Sequence, residues 1–385
     1  DESVGTMKRR LDRFNQENTA ENRGRVRNMF LGAAAGLKAS GINAAILDRD
    51  TFNDEFNFID IDGQRIGLVE YAASQGLIPG LKIDGGLLPY PADKRHNVPN
   101  PRGLTELKGL LQQHGKWIKF TKSRITIEVI EDEQGNIISE PTADIMRENA
   151  RFLAEQAKME PDAGFVPMVE PEFLFENKHY DIATNYRLST QMWRILVEEL
   201  KAAGVILEGT ILKTNMITSG QLATNPASDD EVATMTLRGV LKEIPKEFGA
   251  VVFLSGGQDG VKVNERLDAI VRAGKERFAE IRQAVVNELK AEATDAQDAD
   301  VATSLSMQAG NVDKLYEMPY ATSFSFSRGL EERALRAYGG DDNNIPAARE
   351  ALLTSARTTW AASIGRLADA AQFSEVLQAE RVGWK

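Results

Sequence analysis

Seven short apolar runs recur along the chain, at 43–47, 80–84, 118–128, 165–170, 205–213, 250–255 and 321–326. Between them, apolar residues spaced by three and four mark helices at 146–157, 190–203 and 231–241. Strands that alternate with helices require crossover connections, which implies parallel β/α units. A chain of 385 residues accommodates one large α/β barrel or two ordinary domains. The alternation favours the barrel, an α/β fold of the (β/α)8 TIM type over 1–370 with a tail at 371–385. Seven runs leave that barrel one strand short, so the first strand is expected upstream of Asp1. Asp1 is not a natural start, and any targeting segment is expected upstream as well.

Two stretches read as insertions. Residues 128–142 have the pattern of a hairpin turning at Gln134, Gly135 and Asn136. The second, 260–318, contains a helix with Phe278, Ile281, Val285 and Leu289 on one face, a stripe that reads as packing. The Ala-, Asp- and Thr-rich run after Ala291 reads as a solvated loop.

Composition removes several classes of function. A net charge of -11 and a pI near 5.1 leave no basic surplus for phosphate backbones, so a nucleic-acid partner is not expected. A local basic pocket for a small phosphorylated substrate remains compatible. No apolar run approaches about 18 residues, the length of a membrane helix, so no membrane partner is expected. Cysteine is absent, which excludes disulfide and thiolate chemistry and fits a reducing compartment, read as the cytoplasm. The three histidines, His96, His114 and His179, stand in polar contexts, so neither a histidine metal centre nor a histidine base is expected. No G-x-G-x-x-G follows a strand and no Walker loop occurs, so no metal, nucleotide or other cofactor is expected.

Charged residues cluster at the carboxyl ends of the runs, which in such a barrel line the active-site face. Run 205–213 is apolar and ends in Lys213. An ammonium buried there is disfavoured against its neutral form, and a neutral lysine attacks carbonyls to form a Schiff base. The same pattern fits a lysine that snorkels into solvent. Glu170 and Glu172 stand two apart, on one side of a strand, where mutual repulsion raises one pKa and suits proton transfer; a solvated strand end is the alternative. Run 250–255 exits through Ser255, Gly256 and Gly257, a turn whose amides can gather round an anion or simply reverse the chain. The last run adds Ser325 and Arg328, and an arginine there suits a bidentate phosphate grip. Lys82, Lys122 and Arg124 bring further cations to the same face, where a cluster of lysines would depress the pKa of Lys213. Lys116, within Gly115-Lys116-Trp117, precedes its run and reads as a decoy.

Taken in order, these segments resemble class I fructose-bisphosphate aldolase. The likeness runs from Asp1 through about residue 365 and includes 17–19 with 21–23, 81–84, 166–172, 207–216, 253–258 and 334–340. It implies reversible cleavage of fructose 1,6-bisphosphate to dihydroxyacetone phosphate and glyceraldehyde 3-phosphate, in glycolysis and gluconeogenesis. It makes Lys213 the Schiff-base nucleophile, Glu170 the acid and base of imine formation with Glu172 beside it, and Lys122 a charge at the reacting oxygens. It makes Asp1 the base that takes the C4 hydroxyl proton. Ser255, Gly256 and Arg328, with Ser325, match the C1-phosphate site. Lys82, Arg124, Ser3, Thr6 and Arg10 match positions that line the substrate or hold the other phosphate. A homotetramer is implied too.

The chain departs from the family pattern in four places. Ser123 stands where the family carries tryptophan, and Phe326-Ser327 stands where Tyr-Gly is frequent. The last tyrosine is Tyr338, so a terminal tyrosine is missing, and the insertion after Ser255 is longer than usual. Two other functions fit the same residues: a Schiff-base aldolase for another phosphorylated ketose, and a non-catalytic scaffold barrel.

Overall fold

The computed structural model describes residues 2–161 and 164–370. Seven strands form one parallel sheet in sequential order: β1 (Ala44–Leu47), β2 (Ile78–Lys82), β3 (Phe120–Ile127), β4 (Val166–Phe173), β5 (Ile211–Thr214), β6 (Ala250–Phe253) and β7 (Ala321–Phe324). Each run expected from the sequence overlaps one of them. The sheet curls in the manner of a TIM barrel, with helices between successive strands. An eighth strand upstream of Asp1 lies outside the described residues, as does the tail at 371–385.

Strands covered on both faces carry apolar and β-branched residues almost continuously, and β3 and β4 are buried along nearly all of their eight residues each. Their register sets the level of every later side chain. Lys82 lies opposite Lys122, Lys122 opposite Met168 and Arg124 opposite Glu170, and Val169 opposite Leu212. One step further along that last pairing, Glu170 and Lys213 stand level on neighbouring strands.

The crossover helices begin where the sequence supplies caps. Thr142 accepts from the Ile145 amide ahead of helix Ala143–Met159, and Asp181 accepts from the Thr184 amide ahead of Ile182–Ala202. Ser228 and Glu231 form a reciprocal capping box for Asp229–Glu243. Around the sheet, Phe173, Trp193, Leu212, Phe253 and Leu289 belong to one continuous apolar core. A second core joins helices Val4–Asp12 and Ala20–Leu31 to Arg328–Tyr338 and Ile345–Ser363. Among the described residues no helix is long and apolar enough to cross a membrane.

Two expectations are corrected. The run 205–213 is not one strand: Leu207–Gly209 form a 3-10 turn and β5 begins only at Ile211. The Thr210 hydroxyl donates to the Ile206 carbonyl at 2.8 Å, closing a turn that extended backbone cannot make. The segment after Ala291 is not a solvated loop. Helix Phe278–Asp295 continues through it, and a second helix, Ala299–Asp313, packs back on the first with Ala309 and Val312 buried. Alanine favours helix, and Asp298 caps the second one through the Asp300 and Val301 amides. His96 is buried and meets the Ser139 hydroxyl at 2.9 Å. The expected hairpin forms, with Ile130–Glu131 paired to Ile137–Ser139 and Gly135 at φ 85° in the turn.

Candidate active site

Glu170, in the middle of β4, holds a lysine on each carboxylate oxygen. Lys213 Nζ lies 2.9 Å from Oε1 and Lys122 Nζ 2.9 Å from Oε2. All three residues are buried. Asp84 repeats the arrangement one strand away, 2.6 Å from Lys82 Nζ and 3.9 Å from Lys122 Nζ. A chain of alternating charge thus crosses four strands: Lys82, Asp84, Lys122, Glu170, Lys213. Above it, Arg124 Nε meets Glu172 Oε2 at 2.9 Å.

These contacts decide the protonation states. Burial alone would raise the Glu170 carboxyl, but Lys122 and Lys213 outweigh it and hold the group down to about 2. The outcome for Glu172 is opposite. Its burial prevails over Arg124, and the Glu170 charge adds to the upward shift. The two carboxylates are thus shifted in opposite directions. Lys122 rises above the usual lysine value, because Glu170 and Asp84 outweigh its burial. A carboxylate stands between each neighbouring pair of lysines. Asp84 carries much of that arrangement; its only sign in the sequence is its place two residues after Lys82.

The loops after β6 and β7 meet at a second centre. Gly256 and Gly257 have φ of 57° and 92°, which favours glycine, and Gln258 N closes the turn on Ser255 O at 3.0 Å. Gly329 packs closely there: a Cβ placed on it would lie 3.5 Å from Ser255 Cβ, and one on Gly260 would lie 3.1 Å from Gly329 O. Arg328 opens helix Arg328–Tyr338 beside this turn, with Nη1 3.5 Å from Gly257 O. Ser255, Gly256, Ser325 and Arg328 thus belong to adjoining loops, and Ser325 N bonds Phe253 O at 2.8 Å.

The chain matches the family described as fructose-bisphosphate aldolase class-I over residues 1–289 and 294–382. The chain belongs to the class I fructose-bisphosphate aldolase family.

Members of that family with similar sequences include the fructose-bisphosphate aldolase of Echinococcus multilocularis, 30% identical over 368 residues that cover 95% of this chain and 85% of that one. The Caenorhabditis elegans fructose-bisphosphate aldolase 2 is 29% identical over 370 residues, covering 96% and 85%. A fructose-bisphosphate aldolase from Plasmodium falciparum, solved with TRAP and a small-molecule inhibitor, superposes with a TM-score of 0.76 at 27% identity, covering 95% of this chain and 89% of that one. This chain is accordingly an aldolase, a lyase whose family acts on a phosphorylated sugar.

In the aldolase fold the N-terminal residues reach the same face by a different route. Arg10 is buried and meets Glu2 at 3.0 Å, and the Ser327 hydroxyl donates to the same Glu2 carboxylate. Burial opposes ionisation of Glu2, yet Ser327 and Arg10 hold it below its ordinary value. Ser327 thus ties Glu2 to the residue before Arg328. Ser3 and Thr6 bond each other at 3.4 Å on their own helical turn. Asp1 lies outside the described residues. Ser123, on the opposite face of β3 from Lys122 and Arg124, is buried with no hydrogen-bond partner for its hydroxyl.

Proposed function

We propose that this aldolase cleaves fructose 1,6-bisphosphate reversibly through a Schiff base on Lys213. The reading is carried by the 2.9 Å contact between Lys213 Nζ and Glu170 Oε1 in a buried site. An amine attacks only when neutral, and a carboxylate in hydrogen-bond contact is placed to take its proton. Lys213 passes one proton to Glu170 and its Nζ adds to the C2 ketone. Glu170 returns the proton to the carbinolamine hydroxyl, which leaves as water, and a protonated imine remains. The imine is the electron sink: the C3–C4 pair flows into it while a base takes the C4 hydroxyl proton. That base is Asp1 in this proposal, on family resemblance alone. Glyceraldehyde 3-phosphate departs, the enamine is reprotonated, and hydrolysis releases dihydroxyacetone phosphate.

Lys122 stays charged beside Glu170 and offers its positive charge to the reacting oxygens. The turn at Ser255 and Gly256, with Ser325 and Arg328, takes the C1 phosphate. Lys82 and Arg124 face the rest of the substrate, with Ser3, Thr6 and Arg10 towards the far phosphate. Two anchored phosphates align C2 with the amine, turning an encounter into an intramolecular step. The working form is proposed to be a homotetramer, measurable by light scattering.

Borohydride reduction in the presence of dihydroxyacetone phosphate tests the chemistry. Peptide mass spectrometry should find the adduct on Lys213; an adduct on another residue, or none, defeats the proposal.

A further inference from the structure

Glu176 takes no part in the chemistry above, and nothing in its spacing marks it. It follows β4 by three residues, in the loop after Phe173. Its carboxylate is ion-paired with Arg328 Nη1. The same side chain lies across the second glycine of the β6 turn: a Cβ on Gly257 would come within 2.3 Å of Glu176 Oε1 and 2.5 Å of its Cγ. The carboxylate is thus lodged between the Gly257 backbone and the Arg328 guanidinium. That is the space assigned above to the C1 phosphate, and a carboxylate and a phosphate oxygen pair ask the same fork of an arginine. The pair is also partly exposed, with side-chain exposures of 38% for Arg328 and 43% for Glu176. A pair so placed can open, unlike Glu170 with its lysines.

We infer that Glu176 is an internal anion that holds the phosphate-binding arginine closed until a phosphorylated ligand displaces it. The inference rests on the reading of Arg328 as a phosphate anchor. The chemical consequence is selectivity. Any ligand must compete with the tethered carboxylate, so its apparent affinity is reduced by the fraction of molecules in which Arg328 is free. Inorganic phosphate has only the contacts of this one subsite with which to compete. A sugar bisphosphate brings a second phosphate and a ketone that reacts with Lys213, so it can displace Glu176 where a lone anion cannot. Glu176 would therefore keep the site from filling with free phosphate while leaving it open to substrate.

Calorimetric titration with inorganic phosphate tests this at fixed ionic strength, because surface pairs are screened by salt. Four proteins are compared: the wild type, Glu176→Gln, Arg328→Ala and the double variant. Glu176→Gln should bind phosphate about 1.5- to 5-fold more tightly, the range in which a partly exposed ion pair acts. In the Arg328→Ala background the same substitution should change nothing. Glu176→Ser, also at an exposed loop position, should reproduce the tightening. Unchanged or weaker binding in Glu176→Gln overturns the inference. So does equal tightening without Arg328, which would mean a general loss of negative charge. Titration needs no turnover, so a wild type that fails to cleave the bisphosphate would defeat the aldolase proposal separately.

Discussion

Trp193 donates its indole Nε1–H to the Thr214 hydroxyl across 3.0 Å, with both residues fully buried. Thr214 is the residue after Lys213 and the last of β5. The crossover helix that follows β4 therefore grips the end of the strand that carries the amine. A four-residue strand has few ladder bonds to fix its own position, and this contact adds one from behind.

Trp193→Phe should consequently destabilise the protein by about 1–3 kcal/mol, from a void and from a buried hydroxyl left with one partner fewer. Thermal unfolding checks it. An unaltered midpoint would show that the indole bond contributes nothing.

Glu170→Gln keeps the shape of the site and removes the charge between two lysines. Two buried ammonium groups then share one neutral neighbour, and no base stands at the amine. Imine trapping by borohydride should slow by roughly 100- to 10,000-fold, the usual contribution of a positioned acid and base. A variant trapped at the normal rate would remove Glu170 from the mechanism.

Asp84→Asn deprives Lys122 of one of the two anions that keep it charged. A lysine raised by its partners titrates at lower pH once a partner is neutralised. The alkaline limb of the kcat/KM profile should move to lower pH, and kcat/KM at neutral pH should fall roughly 10- to 100-fold, as for the loss of a buried charged hydrogen bond. A profile of unchanged shape would mean that Asp84 only fills space.

Glu160 gives a pH effect remote from the chemistry. It is buried at the start of β3, where the Thr121 hydroxyl donates to it, and burial raises its carboxyl from 4.5 to about 8. The folded chain therefore keeps a proton that the unfolded chain gives up near 4.5. Its stabilising contribution is complete below that value and is lost progressively as pH rises through about 8. The loss is on the order of a few kcal/mol. Glu160→Gln should flatten this decline in urea titrations run from pH 5 to 9, and an unchanged slope would reject the assignment.

The sequence alone determined the number, order and approximate place of the seven strands. Parallel strands buried on both faces need continuous apolar runs, and such runs are local patterns. It also put Lys213, Glu170, Lys122 and Arg328 near the ends of those runs, where a barrel gathers its functional groups. Register was not legible. Whether Glu170 stands level with Lys213 depends on pairing between chains of backbone some 40 residues apart, and a slip of one residue would reverse the side chains. Only the tertiary structure decided that carboxylates alternate with the lysines, that run 205–213 breaks at Thr210, and that Glu176 closes on Arg328. Each depends on which loops and strands lie side by side, and no spacing along a single segment records that.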